Sequence, residues 1–197
     1  MIAMPAAGLH DPVHDAQHAF RVALEALSRP GRVLSLPGAI EGVPLGAAQA
    51  RLLLTLTDES TAAWWQSPSQ AVQAWLRFHT GARVATASQE ADFAVITQAG
   101  DLRDLRRFPS GAAAAPEQSC TLLVEVPSLR DGTVVRAYGP GIRDGIDIVI
   151  AGLPEVFWAE WHACHAGFPQ GVDLFFTCGD ELLGLPRTSR IARLQEV

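Results

Sequence analysis

A nearly unbroken apolar run, VDLFFTC at residues 172–178, constrains the fold of this chain most. Two proline-marked corners frame it, FPQG at 168–171 and LPRT at 185–188. The run is short enough for a strand, and its residues are apolar on both faces of a pleat. Such a strand must be covered above and below, as in the middle of a sheet layered by helices. Asp173, just inside the run, is expected to satisfy the turn that Gly171 permits.

The rest of the chain interleaves strands and helices around this core. Asp11 caps a first helix and Pro12 fits its first turn. Val13, Ala16, Phe20, Leu24 and Leu27 recur at helical spacing and are expected to form its inner face. Pro30-Gly31 ends it. Residues 32–36 predict a short strand, 45–56 a helix buried on most sides, and 61–65 a strand. Ser67-Pro68 starts a second amphipathic helix with Val72 and Trp75 inside and Gly81 as its stop. Strands are predicted over 83–86, 92–97 and 147–151. A short charged helix is predicted over 101–107 and a mobile small-residue loop over 108–117. The runs 121–126 and 133–138 flank Asp131-Gly132, a hairpin signal. Pro154 opens a helix through His165. These elements predict one α/β domain over residues 1–197, with a mixed sheet flanked by helices on both faces.

Composition removes several functions. A formal charge of −6 without a basic block argues against nucleic acid and anionic membranes as partners. The chain has no lysine; its 15 basic residues are all arginine. A Schiff base to pyridoxal phosphate and a Walker phosphate loop both need a lysine, so neither is expected. The widely spaced Cys120, Cys164 and Cys178 predict reduced thiols. The first residues lack the basic start and apolar core of a secretory signal, and a cytoplasmic location is expected.

Candidate chemistry is sparse. His10, His14 and His18 lie four apart, and His162, Cys164 and His165 cluster near a helix end, but no full metal-ligand pattern follows. Gly139-Pro140-Gly141 resembles a phosphate cradle, yet Pro140 offers no N–H and a turn is expected. Arg77 and His79, at the end of the tryptophan-bearing helix, are candidate anion or partner contacts. Arg187 is a third, either free for an anion or paired with Asp173. No catalytic residue, cofactor site or metal site is predicted.

Several segments together resemble one family. They are DAQHAFR (15–21), RPG (29–31), LLLTL (52–56), RFHT (77–80), ADFA (91–94), GPGI (139–142) and the stretch 168–188. Their order and density are similar to the PhnH family, the H subunit of the bacterial carbon–phosphorus lyase system. The resemblance implies a fold like that of pyridoxal-phosphate-dependent transferases without the cofactor. It implies a homodimer that joins the G, I and J subunits in a core complex. That complex turns alkyl phosphonate and ATP into ribose 1-phosphonate 5-triphosphate, releasing adenine. An accessory, non-catalytic subunit is therefore expected, with some of Trp64, Trp65, Trp158 and Trp161 facing partner chains. The alternative is an independent phosphonate- or nucleotide-binding protein or transferase, with Arg77, His79 and Arg187 gathered in one pocket.

Overall fold

The computed structural model describes residues 6–193. In chain order the elements are α1 (Pro12–Ser28), β1 (Val33–Ser35), α2 (Ala47–Leu56), β2 (Ala62–Trp65), α3 (Gln70–Thr80), β3 (Arg83–Val84), β4 (Phe93–Ile96), β5 (Ser110–Ala112) and β6 (Ala115–Ser119). They continue with β7 (Thr121–Glu125), β8 (Thr133–Tyr138), β9 (Ile146–Ile150), α4 (Phe157–His165), β10 (Asp173–Cys178), β11 (Glu181–Leu185) and β12 (Arg190–Arg193).

The centre is a seven-stranded mixed sheet, ordered β1-β11-β10-β7-β4-β2-β3. The strands from β10 to β3 run parallel, and β11 is antiparallel to both β10 and β1. As its apolar run requires, β10 lies inside the sheet. Its side chains alternate between two cores: Leu174 and Phe176 on one face, Phe175 on the other. Neighbouring strands split the same way, Leu122 and Val124 against Leu123, and Ala94 and Ile96 against Val95.

Three helices, α1, α2 and α3, cover one face. The other face carries α4 together with a smaller β12-β8-β9 sheet. The mixed sheet with helices on both faces was legible in the sequence; the second β layer was not. The predicted Asp131-Gly132 hairpin does not form. Its first run is β7, paired parallel with β4 and β10, whereas its second is β8, paired with β9 and β12. Their burial separates them. Leu122, Leu123 and Val124 are all buried in β7, while β8 buries only Val135 and Ala137. A strand covered on both faces and a strand covered on one belong to different layers.

The inner face of α1 also differs from expectation. Asp11 does cap the helix, accepting from the N–H groups of Val13 at 3.1 Å and His14 at 3.0 Å. However, Val13, Phe20 and Leu24 are 73%, 48% and 53% exposed, and Ala19, Ala23 and Ala26 are buried instead. Close approach explains the choice. A Cβ on Gly184 of β11 would stand 2.5 Å from the backbone carbon and oxygen of Ala26. Only a face of small residues can lie that near a strand.

Residues 102–107 are not helical. A 3-10 turn at Ala99–Asp101 leads into an irregular segment that buries Leu102, Leu105 and Phe108. Arg107 lies over the Trp64 ring, 4.7 Å from its centroid. The expected mobile loop is the β5–β6 hairpin. Trp65, Trp158 and Trp161 do not face outward: each is at most 5% exposed. The Trp161 indole N–H donates to the Ser189 carbonyl at 3.0 Å, which satisfies its polar edge inside the core.

Candidate functional site

The three residues expected to gather around an anion do not come together. Arg77 and His79 are exposed on the last turn of α3, which Gly81 closes in the left-handed conformation at φ 77°. His79 donates its Nε2 proton to the Ala6 carbonyl at 2.9 Å, and Trp75 donates to the Ala7 carbonyl at 2.9 Å. These two bonds hold the segment before α1 across α3. Arg187 lies across the sheet beside β10, with β7, β4 and β2 between β10 and β3.

Arg187 is engaged by the protein itself. Its side chain is 13% exposed and that of Asp173 is 20% exposed. The Nε donates to both carboxylate oxygens at 3.2 and 3.1 Å, and one terminal nitrogen donates to the Pro116 carbonyl at 2.6 Å. The other donates to Ser119 Oγ and to Asp173. The Arg187 backbone N–H also donates to Asp173 Oδ1 at 2.8 Å. Asp173 therefore fastens the corner after β11, not the turn at Gly171, whose N–H donates to the Ser110 carbonyl at 2.8 Å. The guanidinium fork clamps β10, β6 and the corner beyond β11 together.

His14 and His165 likewise serve local structure. His14 pairs with the capping Asp11 at 2.8 Å. His165 donates its Nδ1 proton to the Arg187 carbonyl at 2.9 Å. Among the described residues no group of three or more His, Cys, Asp or Glu side chains stands close enough to hold a metal ion. The three thiols are free, and burial is the main force pushing each of them up in pKa.

The polar geometry that sequence reasoning missed lies at the C-terminal ends of the parallel strands. There an open α/β sheet changes winding direction and leaves a crevice. The chain passes from β2 to β3 on one side and returns to β4 on the other. The gap at that switch is filled by Gln66. Its Oε1 accepts from the N–H groups of Thr97 at 3.0 Å and Gln98 at 2.8 Å, and its Nε2 donates to the Gln98 carbonyl at 3.0 Å.

One strand further along the crevice is open. A cavity of about 380 Å³ is lined by Thr97, Gln98, Gly100, Glu125, Pro127 and Gly152, among others. Glu125 ends β7, one step past the Ile96–Val124 pair. Its carboxylate accepts from the Gly179 N–H at 3.1 Å and from the Thr177 hydroxyl. Burial pushes this carboxyl above the usual carboxylate range, against the pull of those two bonds. Gly46, the N-cap of α2, leaves the room it needs: a Cβ there would lie 2.5 Å from Glu125 Oε1. Beneath, the buried Gln49 donates to the carbonyls of Ile96 at 3.2 Å and Leu123 at 3.0 Å. Its Oε1 is buried without a partner. The available signals were a lone glutamate closing the apolar run 121–125 and a lone glutamine inside the apolar helix 45–56.

The fold and these sites define an α/β protein whose most elaborate polar contacts are structural clamps. The family is shown by sequence. Residues 7–192 match the bacterial phosphonate metabolism protein (PhnH) family, and the chain belongs to it. It is 39% identical over 187 residues, 93% of either chain, to the alpha-D-ribose 1-methylphosphonate 5-triphosphate synthase subunit PhnH of Rhizobium meliloti (strain 1021). It is also 33% identical over 176 residues to HtxG of Stutzerimonas stutzeri, a protein provisionally described as a C-P lyase subunit. That match covers 89% of this chain and 85% of HtxG.

Proposed function

We propose that this chain is an accessory, non-catalytic subunit of a carbon–phosphorus lyase core complex. It serves the conversion of alkyl phosphonate and ATP into ribose 1-phosphonate 5-triphosphate with release of adenine. The carrying observation is the match to the synthase subunit along 93% of both chains. In this reading the chain is one cytoplasmic domain and joins homologues of the G, I and J subunits. No helix among the described residues is long and apolar enough to cross a membrane, which agrees with that setting. The single reversed strand, β11, within an otherwise parallel sheet supports kinship with the pyridoxal-phosphate-dependent transferase fold. With Arg187 held by Asp173, the exposed Arg77 is the candidate contact left for a partner subunit. Co-expression with the three homologues tests the proposal: one co-purifying assembly is expected, and a chain that elutes alone contradicts it.

The same reading includes a homodimer, and the exposed side of α1 supplies a face for it. Val13, Gln17, Phe20 and Leu24 line that side at intervals of four, three and four. The spacing is the same from either end. Antiparallel packing about a two-fold axis therefore sets Val13 against Leu24 of the second copy, and Gln17 against its Phe20. Light scattering should give twice the chain mass for the wild type and the monomer mass for Phe20→Glu. A Phe20→Glu protein that stays dimeric removes α1 from the interface.

A further inference from the structure

We propose that the crevice at the C-terminal ends of β4 and β7 binds a small planar molecule rich in N–H donors, an amidine or an aminated heterocycle, with Glu125 as its acceptor. The cavity of about 380 Å³ suits a molecule of that size. Its position at the carboxyl ends of parallel strands is where open α/β sheets take ligands. The chemistry of the lining decides the class of ligand.

The one charged group in the lining, Glu125, is an acceptor, and the Thr97 and Gln98 side chains beside it are neutral. Each Glu125 oxygen accepts one protein bond, from Gly179 or from Thr177, and a carboxylate oxygen can accept a second. Gln49 Oε1, buried one step below the floor, accepts none. The orientation of that amide is fixed by its two carbonyl partners, so the unpaired atom is the oxygen. No lining residue is cationic. A phosphate or phosphonate would meet the Glu125 charge with nothing to offset it, whereas a paired N–H edge can meet both carboxylate oxygens. The open wall at Gly100 suits a flat ring. A Cβ on Gly100 would meet only the Gly152 carbonyl, at 3.6 Å.

Glu125 also faces the N-terminus of α2, which offers a purely structural role as a helix-capping charge. The two roles separate experimentally. Calorimetric titration of the full chain with benzamidine probes the cationic source of this chemistry, 2-aminopyrimidine the neutral one, and methylphosphonate the excluded anion. Saturable binding of benzamidine or 2-aminopyrimidine is expected, with affinity falling about tenfold or more in Glu125→Gln. Gly100→Leu fills the mouth without touching Glu125 and should abolish binding in a protein that unfolds at the wild-type temperature. The site is overturned if neither probe binds, if binding survives Gly100→Leu unchanged, or if methylphosphonate binds more tightly than both.

Discussion

Replacing Arg187 with alanine should cost about 3–5 kcal/mol, the loss that follows when one member of a buried ion pair is removed. Asp173 would then lose its partner in a site where its side chain is only 20% exposed. The Pro116 carbonyl and Ser119 hydroxyl would lose their donors as well. Against a total stability of about 5–15 kcal/mol this is a large fraction. For a chain of this size it corresponds to a fall in melting temperature of about 10 °C or more. Asp173→Ala should cost a similar amount. The double variant Asp173→Leu/Arg187→Met should cost clearly less than the two single losses combined, because no buried charge is left alone. Thermal and denaturant unfolding of the four proteins measure this directly. Single losses below about 1 kcal/mol would show that the pair is solvated and is not a clamp. An Arg187→Ala protein of wild-type stability that lost phosphonate binding would return Arg187 to the role of an anion contact.

The second large effect is expected at Gly184. An added Cβ would stand 2.5 Å from Ala26 carbon and oxygen and 2.8 Å from the Leu27 nitrogen. All three are helix backbone, so no rotamer change relieves the overlap. The helix α1 must lift from β11 and loosen Ala19, Ala23 and Ala26 from their core. Gly184→Ala should therefore cost about 3 kcal/mol, at the upper end for overpacking. Gly179→Ala is the control. Gly179 has φ 61° but nothing within 4 Å of its added Cβ. Only the conformational penalty of about 1 kcal/mol is expected there. Equal losses at the two positions would show that α1 does not depend on close approach to the sheet.

The same contact explains what could be read from the chain and what could not. The run at β10 was legible because burial on both faces leaves no polar alternation. Gly81 was legible because a left-handed C-cap has few other solutions. The inner face of α1 was misread because large apolar residues lie on its outer side, while the glycine that demands alanines is about 160 positions away in sequence. The hairpin was misread because Asp-Gly signals a turn without saying whether its flanking strands share a sheet. Segment 101–107 was misread because charge patterning suggested a surface helix. Its Leu102 and Leu105, with Phe108 just beyond, instead recur every third residue and turn inward.

For the candidate sites the pattern is similar. Arg187 and Asp173 were both visible as ionisable residues beside corners, and only their mutual geometry shows that each satisfies the other. Arg77 and His79 were placed correctly at a helix end, but their distance from Arg187 depends on strand order, which no local signal carries. Glu125, Thr177 and Gln49 come from three elements far apart in the chain. Thr177 reaches Glu125, and Gln49 reaches the Ile96 and Leu123 carbonyls, only because β4, β7 and β10 are neighbours in the sheet.

Native mass spectrometry reads out whether this chain belongs to a multi-subunit assembly. The chain would be co-expressed with homologues of the G, I and J subunits and purified through a tag on another subunit. One assembly whose mass includes this chain is expected, with that mass lost in preparations lacking its gene. An assembly of the other three subunits that forms at full yield while this chain elutes separately would contradict it.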